Sequence, residues 1–158
     1  MTLGAPLGLL GLLAVPVLRA GLGLWQGARE VLPSAQVCHV GLQAGPADTP
    51  VSWYLDSLPP VIEERVGVLV FLPVLASGRT LVAVLERLET LGVSGPRLRV
   101  VTSLAAAPGL RLLGERFEDL TLYCACIDPD LDGEGRPLPG CGAIEERLYG
   151  CPQPGSLG

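Results

Sequence analysis

Gly67-Val-Leu-Val-Phe-Leu72-Pro73-Val-Leu-Ala-Ser77-Gly78-Arg79-Thr80-Leu-Val-Ala-Val-Leu-Glu-Arg-Leu-Glu-Thr-Leu91-Gly92 reads as a buried strand, a tight loop and an amphipathic helix. The run from Gly67 to Leu72 is continuously apolar, which suits a central parallel strand covered on both faces. Its β-branched and aromatic content favours strand over helix. Leu81, Val84, Leu85, Leu88 and Leu91 recur at the spacing of one helical face, and Gly92 is a natural stop. Between the two, Ser77, Gly78 and Thr80 sit where unpaired amides and the positive end of the helix dipole favour an anion such as phosphate. Ser and Gly also occupy strand-to-helix turns that bind nothing, so this feature by itself leaves phosphate binding open.

Working outward, Leu12–Leu18 predicts a buried strand and Arg19-Ala-Gly-Leu-Gly23 a second strand-to-helix turn. A helix follows over Leu22–Leu32, with Leu22, Trp25, Ala28 and Leu32 on one side. Gln36–Leu42 reads as a strand, Gln43–Pro50 as a Gly/Pro turn and Val51–Leu55 as a returning strand, together a hairpin arm. Downstream, Leu98–Leu104 and Leu120–Ile127 predict strands flanking a helix over Pro108–Phe117, with Pro108 in its first turn. A polar, turn-rich stretch runs from Asp128, and Glu145–Tyr149 predicts a helical turn. Strands alternating with helices give an α/β fold with a doubly wound, mostly parallel sheet and a small hairpin arm. Ligands are expected beyond the carboxyl ends of such strands. Arg19, the Ser77 loop, the Ser103–Pro108 turn and the loop after Asp128 would open onto that edge. The expected division is an apolar leader over 1–11, one domain over 12–151 and a tail over 152–158. Residues 1–18 carry no charge, which formally reaches the lower limit for a membrane span. Glycines and prolines interrupt the run, so a leader and then a buried strand is the preferred reading.

The chain has 158 residues, 49% of them hydrophobic and 17% charged, enough for one α/β domain with a proper core. A net charge of −5 with no basic run argues against nucleic-acid binding, which needs clustered cations to neutralise phosphates. Cys38, Cys124, Cys126, Cys141 and Cys151 form an odd number without C-x-x-C spacing, so buried reduced thiols are expected and no metal site is assigned. His39 is the sole histidine, and a structural role is expected for it. Asp128, Asp130 and Asp132 do not make a calcium loop, because Pro139 stands where the closing glutamate would be.

Several separated motifs carry a family resemblance. Val15-Pro-Val-Leu-Arg-Ala-Gly-Leu-Gly23, Val37-Cys-His-Val-Gly-Leu42, Leu72-Pro-Val-Leu-Ala-Ser-Gly-Arg-Thr80, Ala106-Ala-Pro-Gly109, Ile127-Asp128 and Pro139-Gly-Cys-Gly142, with Arg147 and Gly150, are similar in order and spacing to uracil phosphoribosyltransferases. The resemblance covers about residues 12–151, and the family's longer amino-terminal segment has no counterpart. It implies a type I phosphoribosyltransferase fold. The implied reaction is uracil plus 5-phosphoribosyl 1-diphosphate (PRPP) giving UMP and diphosphate in pyrimidine salvage, with magnesium as cofactor. It further implies PRPP, uracil or UMP as ligands, GTP as a regulator in some relatives, a homo-oligomer and a cytoplasmic location.

By resemblance, Arg19 meets the PRPP diphosphate, and Pro73, Leu75, Ala76, Ser77, Gly78, Arg79 and Thr80 belong to the loop that cradles the 5-phosphate. Pro137, Gly142, Ala143 and Ile144 form the uracil loop. No catalytic residue is assigned. Leu72 replaces the aspartate that accepts the ribose hydroxyls, and Arg79 replaces a glycine, with its guanidinium a candidate substitute for a lost cation. Ala44 stands at or near the second diphosphate arginine, and Ala143 replaces an aspartate. Pro137 has no N–H to offer uracil. With each charge-assisted contact worth about 1.5 to 3 kcal/mol, the changes at 44, 72 and 143 together remove roughly 5 to 8 kcal/mol, or four to six powers of ten in kcat/KM if additive. The expectation is therefore a family member with weak or lost transfer. The alternative is a non-catalytic relative that binds a nucleotide or a partner.

Overall fold

The computed structural model describes residues 11–46 and 49–150. The first half contains β1 (Leu12–Leu18), α1 (Gly21–Ala28), β2 (Gln36–Val37), β3 (Val40–Gln43), β4 (Ser52–Asp56), β5 (Gly67–Phe71) and β6 (Val74–Leu75). The second contains α2 (Arg79–Thr90), β7 (Leu98–Ala106), α3 (Ala107–Arg116), β8 (Thr121–Asp128), β9 (Asp130–Leu131), β10 (Pro137–Leu138) and α4 (Ile144–Tyr149). β1 lies inside the main sheet, parallel to β2 and β3 on one side and to β5 on the other. β7 and β8 extend the parallel array beyond β5, and β6 continues along β7 where β5 stops. Only β4 runs antiparallel in this sheet, against β3, forming the hairpin arm. β9 and β10 make a separate antiparallel ribbon.

This order places the site. From β1 the chain first builds outward to β3 and then returns to add β5 on the opposite side. The loops leaving β1 and β5 therefore diverge, and a crevice opens between the carboxyl ends of these two strands. The core beneath it is aliphatic: Val15, Val70 and Val100 are fully buried in adjacent strands, and Leu81, Val84, Leu85 and Leu88 present the apolar face of α2 to them. Each fully buried leucine contributes about 1.5 to 3 kcal/mol relative to exposure, so α2 is fixed to the sheet mainly by this face.

The α/β class, the mostly parallel sheet and the hairpin arm match the sequence reading, with differences at several boundaries. Helix α1 stops at Ala28 instead of Leu32. Pro33 disfavours helical geometry at the residue before it, and Val31 and Leu32 instead form turns back to the Ala28 carbonyl. The strand expected over Gln36–Leu42 is two short pieces, with the Cys38 amide donating to the Ala14 carbonyl between them. The described cysteines are less buried than expected: Cys38, Cys124 and Cys141 are half-buried and Cys126 is exposed, all as free thiols, while Cys151 lies outside the described residues. Among the described residues strand β8 pairs with β7 alone, and its Tyr123 and Ile127 are exposed. The desolvation of Cys38, reinforced by nearby Asp56, raises its thiol pKa and keeps it protonated. Among the described residues no helix is long and apolar enough to cross a membrane, and residues 12–18 are a sheet strand. The expected leader and tail fall almost wholly outside the described residues.

Candidate active site

The loop after β5 is fastened at its base. The Pro73 carbonyl accepts from the amides of Ser103 and Leu104 at 2.9 and 3.0 Å, and the buried Thr102 hydroxyl lies 3.0 Å from it. Pairing of Val74 and Leu75 with Leu104 and Ala105 extends the anchor. The chain then turns through Gly78, whose φ of +87° favours glycine. Close by, α3 supplies a second glycine: a Cβ on Gly109 would meet the Ala76 carbonyl oxygen at 2.3 Å, and one on Gly78 would meet the Gly109 carbonyl oxygen at 3.3 Å. Ala-Ala-Pro-Gly at the start of α3 thus lets that helix press directly on the loop backbone.

The result is a cup at the head of α2. Leu72, Ala76, Ser77, Gly78, Arg79 and Thr80 are among the residues lining a cavity of about 100 Å³. That is the share of roughly three bulk waters, a volume commensurate with one tetrahedral oxyanion. The first-turn amides of a helix have no intrahelical acceptor and favour such an anion. Leu72 lines the cup and packs on the core, so an apolar side chain faces the position where the family's ribose-binding acid would stand. Pro73 is buried and Leu75 is 1% exposed; both shape the loop from below.

The Arg79 guanidinium, the candidate substitute for a lost cation, is bound to backbone carbonyls of the arm. Its Nη1 donates to the carbonyls of Gly45 at 3.1 Å and Pro46 at 3.2 Å, and its Nη2 donates to the Thr49 carbonyl. Arg79 therefore straps the tip of the arm to the start of α2. Under that strap lies a second, more open cavity of about 530 Å³, bordered by Thr49, Trp53, Arg79, Glu86 and Arg116 among others.

At the end of β1, Arg19 meets a partner that sequence reading did not single out. The backbone amides of Arg19 and Ala20 donate to Glu145 Oε1 at 3.0 and 3.4 Å, and Arg19 Nε lies 3.3 Å from Glu145 Oε2. Tyr149 adds a hydroxyl donated to the Arg19 carbonyl at 3.1 Å, while its ring centroid lies 5.7 Å from the guanidinium carbon. Nothing local marks Glu145, because its contact joins residues 126 positions apart.

The loop after β8 supplies the third wall. Asp128, 8% exposed, accepts from the Gly140 amide at 2.7 Å, and Arg147 Nη1 donates to the Cys141 carbonyl at 2.8 Å. Pro137 is buried in β10, and Gly142 turns with a φ of +72° into Ala143 and Ile144, which precede and open α4. Asp132 closes the ribbon turn: its carboxylate accepts from the Arg136 amide and Nε and from the Glu134 amide, each at 2.9 Å. Those bonds, the Arg136 amide first and its guanidinium next, hold the Asp132 carboxyl below the usual carboxylate range. These bonds clasp the turn between β9 and β10. Among the described residues no group of three His, Cys, Asp or Glu side chains is placed to hold a metal ion.

Comparison with known proteins agrees with this geometry. The family model described as uracil phosphoribosyltransferase matches residues 10–151. The uracil phosphoribosyltransferase of Synechococcus elongatus is 41% identical over 138 residues, covering 87% of this chain and 64% of that protein. The enzyme of the same name from Nicotiana tabacum is 35% identical over 136 residues, covering 86% and 61%. The chain thus spans less than two thirds of the length of these relatives. Among solved structures, a protein from Aquifex aeolicus superposes with a TM-score of 0.79 at 30% identity, over 88% of this chain and 65% of that one. A purine phosphoribosyltransferase from Pyrococcus horikoshii shares the fold alone, with a TM-score of 0.56 at 13% identity, over 73% and 69%. With a fold and loop order of this kind and a family match along nearly its whole length, the chain belongs to the uracil phosphoribosyltransferase family.

Proposed function

We propose that the protein carries the ligand-binding frame of a uracil phosphoribosyltransferase with transfer from PRPP to uracil strongly reduced. In the family reaction uracil N1 gives up its proton, to water or to the departing diphosphate, and bonds to C1 of the ribose while the C1–O bond to diphosphate breaks, diphosphate leaving with the electron pair of that bond. The cup at the head of α2 would hold the 5-phosphate through backbone N–H groups. The Arg19 and Ala20 amides and the Arg19 guanidinium suit a diphosphate, where negative charge grows as the bond breaks. The segment from Pro137 to Ile144 would face uracil. The observation that supports the reading is a contrast: the cup at the head of α2 is an open cavity, whereas Leu72 and Ala143, which by resemblance would face the sugar and diphosphate, carry no charge, and Glu145 is already bound to Arg19.

Magnesium is implied by the family, and Leu72, Ala143 and Glu145 give it no free side-chain oxygen. A hard divalent cation takes oxygen ligands and is held largely by substrate phosphates and water, so with Glu145 engaged with Arg19 these three positions would add nothing to the ligands that PRPP itself supplies. No step of the reaction is assigned to it. Self-association, a cytoplasmic location and GTP responsiveness belong to the same proposal as family traits. The test is UMP formation from PRPP and uracil, run beside the Synechococcus elongatus relative. A kcat/KM lower by about four powers of ten or more agrees with the missing contacts; a value within about tenfold refutes the claim of reduced transfer.

The open cup also favours a second reading, a non-catalytic relative that binds a nucleoside monophosphate. UMP needs the cup and the uracil loop but not the diphosphate position. Calorimetry separates the two readings: UMP binding with no turnover supports this one, and failure to bind UMP removes it.

A further inference from the structure

We propose that Glu145 is a specificity residue that occupies the diphosphate position from within the chain, so the site accepts monophosphates and rejects diphosphoryl ligands until Glu145 withdraws. The inference deepens the functional reading above and rests on it for the identity of the site. Its own basis is the geometry around one carboxylate. Two backbone amides and a guanidinium nitrogen, all from Arg19 and Ala20, converge on the two oxygens of Glu145 at 3.0 to 3.4 Å. A convergent set of charge-assisted donors of this kind recognises phosphoryl oxygens as readily as carboxylate oxygens. Glu145 thus satisfies the same donors that a diphosphate would use.

The attachment of α4 shows how the carboxylate is delivered and why it can leave. Helix α4 has six residues and none of them is buried. Arg19 is touched by Glu145 at its amide and guanidinium and by Tyr149 at its carbonyl and ring face. The helix is therefore positioned over the β1 loop by polar contacts. The Arg19 and Glu145 side chains are 50% and 42% exposed, so water reaches the pair and an incoming anion can compete for its donors. The cup at α2 lies on a different loop and has no Glu145 in its lining. A ligand with a single phosphate can enter it without disturbing the pair, whereas diphosphate, or the diphosphate end of PRPP, meets a site that is already filled with negative charge.

Calorimetric titration of the full chain with sodium diphosphate tests this, comparing the natural protein with Glu145→Gln and Glu145→Gly. Gln keeps the size and removes the charge, and Gly removes the side chain. A ligand whose competent state is only a tenth populated binds about tenfold more weakly than its intrinsic affinity, so both variants should bind diphosphate at least about tenfold tighter than the natural chain. Circular dichroism checks that each variant is folded; if one is not, the other decides. Equal affinities in natural and variant chains, or no diphosphate binding by either folded variant, overturn the inference. UMP binding by the unaltered chain is measured in parallel. Its absence removes the monophosphate reading, while the diphosphate comparison still decides the role of Glu145.

Discussion

Replacing Gly109 by alanine should distort the phosphate cup from outside it. A Cβ at this position would lie 2.3 Å from the Ala76 carbonyl oxygen, 3.2 Å from the Ala76 carbonyl carbon and 3.2 Å from Leu75 Cγ. Two of these neighbours are backbone, and the loop below them is bonded to β7 through Pro73. Relief therefore requires α3 to back away or the Ala76–Gly78 segment to shift into the cup. Overpacking of this kind costs about 1 to 3 kcal/mol, and a loss near 2 kcal/mol corresponds to about 4 to 8 °C in Tm for a domain of this size. Losing one charge-assisted amide contact to phosphate, about 1.5 to 3 kcal/mol, should weaken UMP binding by roughly 10- to 100-fold. Gly114 is the internal control. It lies on the same helix with nothing within 4 Å of its added Cβ, so Gly114→Ala should stabilise by about 0.5 to 1 kcal/mol through helix propensity. Thermal unfolding and UMP calorimetry on both variants give the answer. If Gly109→Ala behaves like Gly114→Ala in both assays, contact of α3 with the loop does not hold the cup in shape.

Arg79→Ala should free the arm tip, because it removes the donors to Gly45, Pro46 and Thr49. Faster amide exchange in the arm with a stability loss of about 1 kcal/mol is expected, and unchanged exchange would show that the strap bears no load. Restoring the family residues with Leu72→Asp, Arg79→Gly and Ala143→Asp should raise UMP formation by about 100-fold or more if the frame is intact; a rate no higher than that of the unaltered chain would place the defect elsewhere. Asp132 has a pKa lowered by its bonds to Arg136, from an ordinary value of 3.8. Its contribution to stability is thus present above that value and lost as pH falls through the lower folded one. Carbon-detected NMR should find its midpoint below those of ordinary aspartates, and Arg136→Ala should move it up; an ordinary midpoint in the unaltered chain would contradict the clasp.

Much of the frame is legible in the sequence because its causes are local. The uninterrupted apolar run into Phe71 and the helical spacing from Leu81 to Leu88 place β5 and α2 to within a residue or so. The alternation of such units requires a parallel sheet, and the sheet brings the loops after β1, β5 and β8 to one edge. Motif resemblance goes further and nominates a phosphate loop and a uracil loop. Boundaries are less legible where the decisive neighbour lies outside the segment. The end of α1 depends on turns before Pro33, and the half-burial of Cys124 and exposure of Cys126 depend on what packs over the faces of β8.

By itself, then, the sequence determined the elements, their order and the family, since periodicity and motif spacing are properties of the chain read along its length. Only the tertiary structure decided that Arg79 holds the arm through the Gly45, Pro46 and Thr49 carbonyls. The pairing of Gly78 with Gly109, and the filling of the Arg19 amides by Glu145, likewise belong to the folded molecule alone. Each of these is a contact of a few ångströms between residues far apart in sequence. Which donor meets which acceptor is fixed by how the loops converge at the sheet edge, and no periodicity records that.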